Sequence, residues 1–187
     1  AFIGALMVWG WHELAFLTGA AAGPRRGLAD PGLTGLARFR QAAATVMHHE
    51  VALAVTGLLL VSLSWDVPNQ IGAMVFVLMF AMRLISKINL FIGVPNTSAE
   101  MLPEHLSYLK SYFGPRRMTL TLALSIAGIA AAAAWFAGLA LAAPAGSAAM
   151  VGASLMATLA LLGVLEHLFL ALPFRDGMLW GWALPQR

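Results

Sequence analysis

The sequence contains no cysteine and few charged residues. Without cysteine, structural disulfides, thiolate metal sites and redox-active thiols are all excluded. Lys, Arg, Asp and Glu make up 10% of the 187 residues, whereas soluble domains carry about 25%. So few charges cannot cover a soluble surface of this size. A disordered chain, a secreted disulfide scaffold and a nucleic-acid-binding module are therefore excluded, and nucleic acid is not expected among the partners.

Apolar residues dominate the chain instead. They make up 60% of it, against a formal net charge of +3. This composition is typical of an integral membrane protein, whose few cations orient the chain and contact anionic head groups of the lipid bilayer. We therefore expect an all-α, polytopic membrane helical bundle. Because the chain opens without Met inside an apolar stretch, we expect a single integral membrane domain over residues 1–187 with an incomplete N-terminus.

At least five helices are predicted to cross the membrane. Each needs roughly 20 mainly apolar residues to cross a hydrocarbon core about 30 Å thick. The run between Met118 and Leu165 carries no charge and is too long for one helix, and the Pro- and Gly-containing turn at 143–147 divides it. The predicted spans run from Phe2 to about Thr18, from about Ala42 to Trp65, from Gln70 to Ile92, and near 118–142 and 148–172.

The charges on the connections predict the orientation of the bundle. Two long connections, at 20–41 and 93–117, and the C-terminal tail are basic, whereas the turns at 66–69 and 143–147 carry no cation. This alternation follows the positive-inside rule, so both long connections and the C-terminus are expected in the cytoplasm. The cations concerned are Arg25, Arg26, Arg38, Arg40, Lys110, Arg116, Arg117, Arg175 and Arg187.

A short amphipathic helix is predicted within the second basic connection, from Leu102 to Phe113. At 100° per residue, Glu104 faces water and His105 falls on the apolar side. Such a helix is expected to lie in the cytoplasmic interface, and Trp180 and Trp182 are expected at head-group level. The predicted apolar face comprises Leu102, Leu106, Leu109, Tyr112 and Phe113.

Histidine and glutamate occur in couples. Four of the five histidines adjoin a glutamate directly, and the couples are predicted to lie near the cytoplasmic end of the bundle. Arg83 and Lys87 are spaced i, i+4 on the third helix and supply supporting charges at the same level. Ionisable groups inside a membrane are costly and mark functional sites. The candidate metal ligands are His12, Glu13, His48, His49, Glu50, His105, Glu166 and His167.

Three interpretations of this cluster remain open. Imidazole and carboxylate ligands suit Fe, Zn or Mn, although the His-Glu-x-x-His and Glu-x-x-His spacings of known sites are missing. A histidine could instead be the axial ligand of a tetrapyrrole. The third interpretation is a structural network of ion pairs. No nucleophile elbow, phosphate loop or Rossmann fingerprint is present, so no catalytic residue is assigned. Four glycines are expected at helix-packing positions, namely Gly128, Gly138, Gly152 and Gly163.

Several segments in this order resemble the PuhE family of photosynthetic-complex assembly proteins of anoxygenic phototrophic bacteria. The resemblance implies a multi-pass protein of the bacterial cytoplasmic or intracytoplasmic photosynthetic membrane. It further implies photosynthetic complex subunits or pigment as partners, and no established reaction. The segments are Trp9 to Glu13, Gly23 to Arg26, His48 to Glu50, Arg83 to Asn96, Leu102 to Phe113 and Leu165 to Leu184.

Three alternative functions are therefore expected. The first is a factor in assembly of the reaction centre and antenna, or in bacteriochlorophyll supply, with a metal or tetrapyrrole held by the His and Glu cluster. The second is a membrane metallo-oxidoreductase acting on a pigment or another lipid-soluble substrate, with the cluster holding the metal. The third is a permanent subunit of a photosynthetic complex.

Overall fold

The computed structural model describes residues 1–172, and within that range the chain forms helices and no strand. The candidate interfacial residues Trp180 and Trp182, the cations Arg175 and Arg187, and the C-terminus lie outside the described residues. The α-helices are α1 (Phe2–Leu17), α2 (Gly35–Ser64), α3 (Ile71–Ile92), α4 (Leu120–Ala142) and α5 (Ala148–Ala171), and two 3-10 helices cover Ala99–Met101 and Glu104–Tyr112.

Four helices, α2 to α5, are long and apolar enough to cross a membrane. The first helix is apolar but has 16 residues, which rise about 24 Å at about 1.5 Å per residue. That length is short of a hydrocarbon core about 30 Å thick. The structure thus confirms four of the five predicted spanning helices by length and composition.

Local turn chemistry sets several helix ends where the sequence predicted them. The α4–α5 connection falls at 143–147, and the Ser147 hydroxyl accepts a hydrogen bond from the Met150 N–H, at 3.1 Å. Thr119 caps α4 in the same way through the Leu122 N–H, at 3.2 Å. Each hydroxyl satisfies one of the backbone donors that a helix N-terminus leaves without a partner.

The second helix begins at Gly35, seven residues before the predicted start at Ala42. Hydropathy identifies only the part of a helix that is continuously apolar, and the extra turns are interrupted by Arg38, Arg40 and Gln41. Tertiary contacts of Arg38 stabilise them: its guanidinium lies 4.1 Å from the centre of the Phe91 ring and donates to the Tyr112 carbonyl at 2.9 Å. The prediction was wrong here because these contacts come from a distant part of the chain.

Helix α3 is the centre of the bundle, since it contacts each of the other four α-helices. Its buried residues in the second half of the helix recur every three or four positions on one face, whereas those in the first half face several sides, as a helix surrounded by neighbours requires. They are Ala73, Val75, Phe76, Met82, Ser86 and Asn89. Helices α4 and α5 pack mainly on each other.

The predicted amphipathic helix at 102–113 is a 3-10 helix over Glu104–Tyr112. Leu106, Leu109 and Tyr112 are buried, and their three-residue spacing matches the three residues per turn of this helix. They cluster with Phe16 of α1, so the apolar face packs against the protein. The placement of His105 on that face was wrong: its side chain is exposed, and its Nε2 lies 2.9 Å from the Leu17 carbonyl oxygen.

Both long connections, 18–34 and 93–119, lie at one end of the bundle, here called the basic end. The Arg25 guanidinium donates to the Tyr112 hydroxyl at 2.8 Å, which joins the two connections. The C-terminus of α5 is at the same end, because the Asn96 N–H donates to the Leu170 carbonyl at 3.0 Å. The segments that carry the predicted site therefore meet here.

Candidate functional site

Two ion pairs join α1, α2 and α3 near the basic end. The Arg83 guanidinium lies 3.1 Å from a carboxylate oxygen of Glu13, and the Lys87 ammonium pairs with Glu50. The two cations lie one turn apart on the same face of α3. Arg83 pairs with a carboxylate of α1, and Lys87 pairs with a carboxylate of α2. His49 is completely buried, with its Nε2 3.7 Å from the other carboxylate oxygen of Glu13.

The couple on α5 is held by a serine of α3. The Ser86 hydroxyl lies 2.9 Å from a carboxylate oxygen of Glu166 and 3.4 Å from Nε2 of His167. The His167 Nδ1 lies 2.8 Å from the Gly163 carbonyl oxygen one turn earlier. His167 is fully buried, whereas Glu166 is exposed at the helix surface.

The remaining three histidines bond to partners of their own. The His12 Nε2 lies 2.9 Å from the Thr56 hydroxyl, and the His48 Nδ1 lies 2.7 Å from the Ala22 carbonyl oxygen. His105 is on the 3-10 helix, and its Nε2 lies 2.9 Å from the Leu17 carbonyl oxygen. Of the candidate ligands, the structure thus brings together Glu13, His49, Glu50, Glu166 and His167, with Arg83 and Lys87 among them.

These contacts are the ones expected if the cluster is a structural network of ion pairs. Within residues 1–172, no group of three or more His, Asp or Glu side chains has the arrangement to hold a metal ion. The carboxylates of Glu13 and Glu50 each pair with a cation of α3. Metal or tetrapyrrole binding by the cluster stays a prediction.

Four of the ionisable residues, Glu50, Arg83, Lys87 and Glu166, lie in the wall of a cavity of about 670 Å³. The wall comes from α2, from α3, from the 97–113 segment and from α5, with Phe16 of α1 at its margin. Most of the lining is apolar, and it includes five phenylalanines. The hydrogen-bonding side chains among the lining residues include Glu50, Arg83, Ser86, Lys87 and Glu166.

Two of these lining residues have unused hydrogen-bonding capacity. Among the described residues, neither the second carboxylate oxygen of Glu50 nor the Nε of Arg83 has a hydrogen-bond partner, although both atoms are buried. A buried polar atom left without a partner costs about 1–3 kcal/mol. Two residues of the cavity wall thus each retain one buried hydrogen-bonding atom without a partner, an acceptor on Glu50 and a donor on Arg83.

Sequence reasoning missed the polar residues of α3 that carry no charge. Ser86 holds the α5 couple, and the Asn89 amide donates to the Ser125 hydroxyl of α4 at 2.9 Å. The spacing of Ser86 and Asn89 could have revealed them, because together with Met82 they follow the i, i+4, i+7 pattern of a buried helix face. Serine and asparagine are common in loops as well, so composition alone did not separate them.

Outside the spanning helices, two groups of the basic end have shifted pKa values. Hydrogen bonds to the Tyr112 hydroxyl and to the Asp30 carboxylate raise the pKa of Arg25 above its ordinary value. Burial raises the pKa of Tyr108. Arg25 therefore stays charged and Tyr108 stays neutral at physiological pH.

Together the fold and the site define a class of protein: a helical membrane protein with an apolar cavity and an ion-paired polar wall at its basic end. The whole chain, residues 1–187, matches the model of the family described as protein of unknown function DUF3623. The chain belongs to this family.

A relative in Rhodobacter capsulatus is 38% identical over 186 residues. It is described as an uncharacterized 30.4 kDa protein in the puhA 5′ region. The alignment covers 99% of this chain and 67% of the relative. None of the solved structures matches the chain.

Proposed function

We propose that this chain is a membrane factor in assembly of the bacterial photosynthetic apparatus, acting on the reaction centre and antenna or in bacteriochlorophyll supply. The observation that carries the proposal is the relative encoded in the puhA 5′ region, a photosynthesis gene region, which is 38% identical over 99% of this chain. The resemblance to the PuhE family implies the same role. Subunits of photosynthetic complexes, or their pigment, are the proposed partners.

The proposed location is the bacterial cytoplasmic or intracytoplasmic membrane, with the basic end in the cytoplasm. Four helices of sufficient length and the alternation of basic and non-basic connections support this placement. The short α1 is proposed as a fifth membrane helix because it packs beside α3 and shares a buried cluster with α3 and α5 through Ala5, Val75 and Met156. The proposed number of membrane passes is therefore at least five.

The cavity favours a second candidate function, an enzyme that acts on a pigment or another lipid-soluble substrate. An apolar chamber with ionisable residues in its wall is the ordinary form of a small-molecule site. A metal ion such as Fe, Zn or Mn, or a tetrapyrrole, is the proposed cofactor of either function, with Glu13 and His49 as the nearest acidic and imidazole pair. A permanent subunit of a photosynthetic complex remains the third candidate.

Deletion of the gene in its phototrophic host separates these functions. Normal pigments with a reduced amount of assembled reaction centre and antenna are expected if the protein is an assembly factor. Accumulation of one biosynthetic pigment intermediate would identify the enzyme instead. Purified complexes that retain the chain in stoichiometric amount would identify a subunit. Unchanged pigments and unchanged complexes would contradict the proposal, and the intact gene restored on a plasmid is the control.

A further inference from the structure

We propose that the cavity at the basic end binds a neutral, lipid-soluble molecule that carries a carbonyl or hydroxyl oxygen at one end. This inference names the ligand class of the site described above, and its physiological meaning rests on the proposed function.

The size and the walls determine the body of the ligand. The cavity of about 670 Å³ is in the range of about 300–1,000 Å³ that small-molecule sites occupy. Phe39, Phe91 and Phe169 contribute apolar wall from three different helices. Phe113 adds apolar wall from the 93–119 connection. A mainly apolar body with a ring or an unbranched tail therefore fits, and removal of its surface from water supplies the favourable free energy.

The charge balance disfavours an anionic head of the ligand. Among the charged lining residues, Glu50 and Glu166 offset Arg83 and Lys87. Both cations also have carboxylate partners, since Lys87 pairs with Glu50 and Arg83 with Glu13. A fatty acid or a phospholipid phosphate would find no surplus positive charge and would have to displace a carboxylate from an ion pair. That exchange is unfavourable where the local dielectric constant is low.

The unused hydrogen-bonding atoms determine what the head must offer. The Arg83 side chain retains a buried N–H without a partner among the described residues, and Glu50 retains a buried oxygen. A carbonyl oxygen of a ligand would accept a hydrogen bond from Arg83 or from the Lys87 ammonium, which has three donors. A hydroxyl would donate to Glu50. Either contact gives orientation to a molecule that the apolar wall alone would hold in any direction.

Three probes with a ten-carbon chain test the ligand class. Decylubiquinone carries carbonyl oxygens on a ring, decylbenzene carries a ring without oxygen, and decanoate carries a negative charge. Binding to the purified full chain in detergent is measured by native mass spectrometry. We expect one decylubiquinone per chain, bound about tenfold more tightly than either other probe, as one added hydrogen bond predicts.

Variants locate the site. Ala43 lines the cavity and Ala127 is exposed on α4, so Ala43→Phe is expected to abolish decylubiquinone binding and Ala127→Phe to retain it. Leu84→Trp also fills the cavity, from a partly exposed position, and is likewise expected to abolish decylubiquinone binding. The double variant Glu50→Gln/Lys87→Met removes the ion pair without leaving a charge behind and is expected to weaken binding about tenfold.

Several results would overturn the inference. Equal affinity for decylbenzene would mean that only apolar volume is recognised, and tighter binding of decanoate would mean an anion or lipid site. Binding that survives both Ala43→Phe and Leu84→Trp, with the folded state confirmed by circular dichroism, would place the ligand elsewhere. These measurements use purified protein, so their failure is independent of the deletion phenotype that tests the proposed function.

Discussion

At the scale of single residues, the charged side chains of α3 illustrate how a membrane protein retains ionisable groups. Arg83 and Lys87 lie one turn apart, and each has a carboxylate partner on a different helix. An unpaired charge at this position would be costly, because little water is present to solvate it. The two ion pairs therefore connect α1 and α2 to α3.

Removing one partner of the Arg83 and Glu13 pair should be more harmful than removing both. Arg83→Met leaves the Glu13 carboxylate with the buried His49 and no neighbouring guanidinium. We expect a loss of roughly 2–3 kcal/mol, less than for a fully buried pair because both side chains are partly exposed. Thermal unfolding in detergent, followed by circular dichroism, measures the change.

The double variant Glu13→Gln/Arg83→Met should recover much of that loss, since no charge is left unpaired. Arg40→Met, at an exposed position near the start of α2, is the control and should unfold like the parent chain. A double variant less stable than Arg83→Met would show that the pair is not what makes Arg83 necessary.

At the scale of the elements, the 18–34 connection fits closely against α2. The Gly23 N–H donates to the Thr45 carbonyl at 2.8 Å. A Cβ atom at Gly23 would overlap the Ala44 carbonyl oxygen and would lie 2.6 Å from the Thr45 carbonyl carbon. Glycine is required here because the backbone of the connection lies directly against the backbone of the helix.

Gly23→Ala should therefore separate this connection from α2. We expect a lower melting temperature and faster proteolysis within 18–34, because a backbone clash cannot be relieved by rotation of a side chain. Gly27 lies in the same connection with no atom within 4 Å of a Cβ position. Gly27→Ala is thus the matched control, and its stability should stay within about 0.5 kcal/mol of the parent. Equal effects of the two substitutions would contradict this account.

Four glycines of α4 and α5 were predicted to lie where helices pack closely, and only some of them do. Gly163 is buried, with the Met82 side chain and Ile129 close to its Cβ position, and Gly152 lies beside Ile71. Gly128 and Gly138 have no atom within 4 Å of that position. The predicted packing role is thus confirmed for two glycines and wrong for the other two, which lie on faces of α4 without a close neighbour.

At the scale of the whole molecule, the charged residues are distributed unevenly along the bundle. The long basic connections and the ion-paired cluster lie toward one end, and the short turns at 66–69 and 143–147 lie at the other. A membrane potential and an anionic lipid surface both favour the basic end in the cytoplasm.

Cysteine labelling tests this orientation, because the chain contains no cysteine of its own. Ala145 and Lys110 are both exposed, the first in the short turn and the second on the 3-10 helix. A membrane-impermeant maleimide added to spheroplasts should label Ala145→Cys and spare Lys110→Cys. Inverted membrane vesicles should give the reverse, and labelling of Lys110→Cys in intact spheroplasts would refute the proposed orientation.

The sequence by itself determined the class of protein, the positions of α2 to α5 and most of their ends. These features follow from local properties: the length of apolar runs, the proline and glycine of the turn at 143–147, and the hydroxyl caps Thr119 and Ser147. The polar residues Glu13, Glu50, Arg83 and Lys87 were also identified in advance, since a charge in an apolar helix is conspicuous in the sequence.

Only the tertiary structure decided which of those residues meet. Neighbouring positions on a helix diverge by about 100°, so the two members of a couple need not meet the same partners. Glu13 joins the network while His12 bonds to Thr56, whereas both members of the next couple, His49 and Glu50, join the network. The 3-10 geometry at Glu104–Tyr112, the early start of α2 and the cavity have the same origin. All depend on which helix faces which, and contacts between distant parts of the chain determine that arrangement.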